Sequence, residues 1–153
     1  MKALDAERFD SMLEWVYERT IDQFVEHENI RPTAYIAIPA GGEKVGLMAV
    51  NLDFSTSETK ERSMMAVRKI NRVENSVGIF LAAESWVAID APLTTIPSED
   101  PDRKEAILVC GSTPRIQGTI IAIFERDAKG DITVKEKKKL DTVQMFVLCG
   151  MWD

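Results

Sequence analysis

The sequence predicts an α+β domain: an antiparallel sheet of five or more strands with two helices packed on one of its faces. Three observations carry that reading. Residues 5–27 and 56–73 place apolar side chains at helical spacing. The remainder breaks into short apolar runs divided by turn signals, Gly41-Gly42 and Lys129-Gly130 among them. Strands that follow one another through hairpins pair antiparallel and leave a face for helices. With 153 residues, 45% of them apolar, the chain has the length of a single α+β domain, 1–153, and enough apolar surface for a core.

The first helix is drawn by Phe9, Met12, Leu13, Val16, Thr20 and Phe24, with Trp15 and Tyr17 widening the stripe. Asp5 suits its N-cap, and Arg31-Pro32 ends it, because the residue before proline is driven out of helical geometry. A hairpin follows: a strand over 34–38, a turn at 39–44 and a return over 45–52. The second helix starts with Ser55 and Glu58 at capping-box spacing. Met64, Val67, Ile70 and Val73, with Met65 and Ala66, form its expected buried face. Lys60, Arg62, Arg68, Lys69 and Arg72 make its outer face basic, either a solvated face or a partner surface. Strands are then expected over 77–89, 105–111, 116–126, 131–138 and 143–149. The element order is α-β-β-α-β-β-β-β-β.

Composition excludes several roles. A net charge of −6 opposes general binding to nucleic acid or to anionic membranes, which needs clustered Lys and Arg. The basic run at 135–139 contains Glu136 and reads as a solvated strand end. No run nears the ~20 apolar residues of a membrane span, and no apolar signal region opens the chain, so the cytoplasm is the expected location. Cys110 and Cys149 lie in apolar runs without CxxC spacing and read as core thiols.

Reaction chemistry finds little footing. His27 is the one histidine, placed where a cation meets the negative end of the first helix. HExxH and histidine-rich zinc sites are thereby excluded, and GxSxG, GxGxxG and GxxxxGKS do not occur. Gly41-Gly42 precedes no helix, so it reads as a hairpin turn and not a phosphate cradle. Glu84, Glu99, Asp100, Asp102 and Glu105 offer oxygen ligands. Arg103 and Lys104 stand among them and favour ion pairing, so no metal and no cofactor is expected.

Glu84 is the residue that needs explaining. A carboxylate within the apolar run 77–89 must face water, find a partner or change its pKa. Strand alternation sets Ile79, Leu81, Ala83 and Ser85 toward the helices, and Phe80, Ala82, Glu84 and Trp86 on the opposite face, open or partly covered. Arg103, in the charged loop after this strand, is the natural partner: a planar guanidinium fits both a carboxylate and an indole. The network is expected to be partly buried. It serves either to pin the loop or to form a ligand or partner pocket.

Glu84-Ser85-Trp86, followed by Pro97-Ser98-Glu99-Asp100-Pro101-Asp102-Arg103, resembles a family of uncharacterised bacterial and phage proteins. In that family a Glu-x-Trp strand precedes a Pro-Ser-Glu-x-Pro-Asp-Arg loop. The resemblance covers about 35 residues and transfers no activity; it singles out Glu84, Trp86, Ser98, Asp102 and Arg103 as a set. The pattern α-β-β-α-β-β-β also describes profilin-like and roadblock-like folds, an analogy of topology alone. The expected role is a soluble, homo-oligomeric binding or assembly protein with a possible protein partner, phage-related on the strength of the resemblance. The rival readings are a small hydrolase using Glu84 as acid or base, and a roadblock- or profilin-like regulatory module.

Overall fold

Asp5 starts the first helix, α1 (Ala6–His27), by accepting the amide of Arg8 at 2.8 Å, as the sequence predicts. The computed structural model describes residues 3–88, 94–141 and 151–152. After α1 come β1 (Thr33–Pro39), β2 (Val45–Asn51), α2 (Ser57–Val73), β3 (Gly78–Val87), a 3-10 turn (Pro97–Glu99), β4 (Lys104–Ser112), β5 (Gln117–Arg126) and β6 (Ile132–Leu140). The six strands form one antiparallel sheet in the order β2-β1-β3-β4-β5-β6. The α+β class and the hairpins are as expected. The strand expected over 143–149 lies outside the described residues, as does Cys149.

The placement of the helices corrects the sequence reading. They pack on opposite faces of the sheet, not on one. α1 presses Phe9, Leu13, Val16 and Phe24 onto Tyr35, Phe80, Ile107, Val109 and Ile120. α2 lays Met64 and Val67 against Ala34, Ile36, Ile79 and Leu81, the alternate positions of β1 and β3. The face holding Phe80 and Ala82 is therefore partly covered: α1 buries Phe80 and Ala82 and leaves Glu84 and Trp86 exposed. The physical reason is that β1 and β3 are apolar at successive positions, so both faces need cover.

The N-cap of α2 also differs. It is Thr56, which exchanges hydrogen bonds with Thr59, while Ser55 bonds to Asp53. The buried stripe of α2 is narrower than expected, leaving Met65 and Val73 exposed. Asn71 is the buried polar residue of α2; its amide donates to the carbonyl of Met151 at 2.9 Å, and its oxygen accepts from Ser76. Met151 thereby joins the α2-side core.

α1 approaches the sheet closely because glycine lies beneath it. A Cβ on Gly111 would stand 2.8 Å from the Phe80 ring and 2.9 Å from Phe9. The two rings pack at 5.5 Å between centroids. Cys110 is a buried core thiol, as predicted, and accepts from the Thr119 hydroxyl at 3.4 Å.

The basic run of β6 does more than solvate a strand end. Ile123 faces Glu136 and Phe124 faces Val134, so Lys135 is an extra residue. This bulge resets the alternation, so Ile132 and Val134 and then Lys137 and Lys139 all face α1. Lys137 reaches Glu14 at 2.9 Å, and Lys139 bridges Glu14 and Asp10.

Gly111→Ala should lower stability by about 1–3 kcal/mol in denaturant melts through overpacking. Gly46→Ala, where nothing lies within 4 Å, should stay within ~0.5 kcal/mol. The Lys137 hydrogen bond, only partly opposed by burial, holds the Glu14 carboxyl below its ordinary value. Its contribution is complete above the unfolded carboxylate pKa of ~4.3 and is lost as pH falls through the lower folded value. The Asp10 hydrogen bond raises Lys139, whose contribution is complete below ~10.4 and fades only above that. Glu14→Gln should therefore cost under ~1 kcal/mol at neutral pH, because these groups are partly exposed, and nothing once both forms are neutral in acid. Melts of both proteins at the two pH values check it.

Candidate functional site

The five residues singled out by sequence lie at one end of the sheet, where β3 ends, β4 begins and α1 gives way to β1. Register sets Trp86 opposite Glu105, and Glu84 opposite Ile107. Both Glu84 and Trp86 extend past the last turn of α1, on the face that α1 covers further along the strand.

The structure joins two of the five residues as expected. The Arg103 guanidinium lies 4.5 Å from the centre of the Trp86 ring. This is a cation–π contact at an exposed position: Trp86 keeps 42% of its surface accessible.

The predicted pairing of Arg103 with Glu84 is corrected. Glu84 is exposed, not partly buried. Its Oε1 accepts the backbone amide of Ile30 at 2.8 Å, closing the segment that leaves α1. Among the described residues no ion pair joins Arg103 to any carboxylate. The physical reason is the competing demand of the backbone. Ile30 presents an amide past the helix end that needs an acceptor, and Glu84 is within reach of it.

Arg103 is held instead by its own loop. Asp100 is buried, accepts the amide of Asp102 on its carboxylate at 2.9 Å, and accepts the amide of Arg103 on its carbonyl at 3.1 Å. The Arg103 side chain returns to the same carbonyl at 3.4 Å. Asp100 thus organises the turn. Sequence reasoning placed it among the metal candidates and left it out of the set. The signal was present, since Asp-Pro-Asp is a turn signature in which the first carboxylate caps the following amides. Ser98 and Asp102 are exposed, and among the described residues neither side chain bonds to Glu84, Trp86 or Arg103.

Arg126 is a further member that the sequence did not suggest. It pairs with Glu105 at 3.5 Å, donates to the Glu28 carbonyl at 3.2 Å, and lies over the Phe24 and Phe124 rings at 5.7 and 5.6 Å. Its role rests on contacts 98 residues apart in sequence, which no local pattern reveals. His27 is exposed at the end of α1, 3.9 Å from Glu26, and stands apart from this corner in the contacts it makes.

Trp86 stands between two depressions. A shallow one of about 190 Å³ is lined by Glu84, Ser85, Trp86, Glu105, Ala106 and Phe124. A larger cleft of about 500 Å³ on the other side of β3 is walled by Val87, Pro97, Leu108, Ile121 and Ile123, with Lys138 at its edge. Among the described residues no cluster of three or more His, Cys, Asp or Glu could hold a metal ion. No helix described is long and apolar enough to cross a membrane. No family model, curated protein or solved structure matches the chain.

The geometry sets expected mutational outcomes. Arg103→Ala and Trp86→Ala should each cost ~0.5–1 kcal/mol, and the double mutant should cost less than their sum. Glu84→Ala should cost ~0.5–1.5 kcal/mol through the orphaned Ile30 amide and should add independently to Arg103→Ala. Denaturant melts over the cycle test both; coupling between Glu84 and Arg103 would contradict the assignment.

Proposed function

We propose that this chain is a soluble binding or assembly protein that self-associates in the cytoplasm and offers the Trp86–Arg103 corner to a protein partner. The observation that carries the reading is the exposed indole with a guanidinium laid over it. Tryptophan and arginine concentrate binding energy at protein interfaces out of proportion to their number. Here both are exposed yet restrained. Trp86 is anchored in a paired strand, and Arg103 is set by the Asp100 turn, so little side-chain freedom remains to be lost on binding. Glu84 supports this corner by tying the exit of α1 to β3. The resemblance of the strand and loop to bacterial and phage proteins adds a phage-related setting.

The test compares capture by the wild-type chain with capture by Trp86→Ala and Arg103→Ala from the source cells. A partner retained by the wild type and lost by both variants, with melts shifted by no more than ~1 kcal/mol, is the expected result. Identical capture by all three overturns the reading of this corner.

A further inference from the structure

The two edges of the sheet are built differently. β6 carries Lys135, Glu136, Lys137, Lys138 and Lys139, which oppose the approach of another strand. β2, the other edge, reads Val-Gly-Leu-Met-Ala-Val-Asn over Val45–Asn51 and contains no charge and no proline. Among the described residues it pairs with β1 alone, and its other side presents a row of backbone donors and acceptors. Met48 is 38% exposed, and Gly46 and Ala49 are exposed beside it. A seven-residue uncharged edge is a template for another strand, and proteins that stay monomeric blunt such edges.

We infer that β2 pairs antiparallel with β2 of a second copy about a two-fold axis at Met48, joining two sheets into one. The inference rests on the self-association proposed above and names its surface. Size complementarity selects a second copy as the occupant. Antiparallel pairing centred on Met48 sets Leu47 against the partner's Ala49, on the α1 face, and Val50 against the partner's Gly46, on the α2 face. Leu47 and Val50 each meet a small residue, Met48 meets its own copy on the axis, and no charged residue of the strand opposes another. Ala49 faces Tyr35 of β1, whose ring is edge-on to Trp15 at 6.0 Å, and Trp15 is 46% exposed. Trp15 thus supplies apolar surface near the seam. The lysines of β6 disfavour a head-to-tail β2–β6 contact, so the assembly closes at two copies and does not extend into a fibre. A seam of one strand pair buries modest area, which fits a dimer that forms at micromolar concentration.

The test is sedimentation of the full chain across micromolar concentrations, for the wild type and for Ala49→Lys. Position 49 is exposed, and a lysine there meets its own charge near the two-fold axis. The expected result is a concentration-dependent wild-type dimer, weakened at least ~10-fold by Ala49→Lys, with an unchanged thermal melt at concentrations where both proteins are monomeric. Mild oxidation of Met48→Cys should give a covalent dimer, and of Lys138→Cys none; this arm decides the matter if Ala49→Lys fails to fold. A wild type that is monomeric at every concentration, including one that takes up a foreign strand, overturns both this pairing and the proposed self-association. A dimer that is indifferent to Ala49→Lys and leaves Met48→Cys uncrosslinked overturns the β2 seam alone.

Discussion

The contact of Phe9 with Phe80, made above Gly111, is the constraint on which the rest of the architecture rests. The Cβ that Gly111 lacks would collide with both rings. With that space open, α1 settles onto the middle of the sheet and buries Leu13, Val16 and Phe24 along the same line. The approach of α1 then determines what the strands around it must do. β6 swings its lysines onto Asp10 and Glu14 through the bulge at Lys135, and Arg126 folds over Phe24 at the far end. A helix held further from the sheet would lose each of these contacts in turn.

Two-sided cover of β1 and β3 is the second organising feature. Apolar residues at consecutive positions cannot all face one helix, so α2 occupies the face that α1 leaves. α2 is a modest cover. Its buried stripe is Met64, Val67 and Asn71, and Asn71 carries a polar tie to Met151 where an apolar side chain would carry none. The Trp152 indole donates to the Ser112 hydroxyl at 3.0 Å, so residues 151 and 152 close this side of the core.

The Trp86 corner shows how backbone satisfaction governs side-chain pairing. Glu84 and Arg103 are opposite charges on neighbouring elements, and simple electrostatics would join them. Each is instead engaged with main chain, Glu84 with the Ile30 amide and Arg103 with the Asp100 carbonyl. At an exposed site a surface ion pair offers little, whereas an unmet amide at a helix exit carries a definite cost. The indole then takes the face of the guanidinium.

Local sequence determined the two helices, the Asp5 cap, the hairpin turns with Gly41, Gly42 and Gly130 at positive φ, and the antiparallel pairing. Each depends on residues within a few positions of one another, which is the range over which spacing and turn chemistry act. It also located the corner, because a carboxylate and a tryptophan in an apolar strand are locally conspicuous. Tertiary structure decided which face each helix takes, which group Glu84 serves, and that Arg126 belongs to the corner. Those outcomes rest on contacts between distant segments, such as Ile30 with Glu84 and Glu28 with Arg126. Periodicity marks that a face is apolar but not which element covers it, since two elements with apolar faces can meet in more than one way until the whole core is packed.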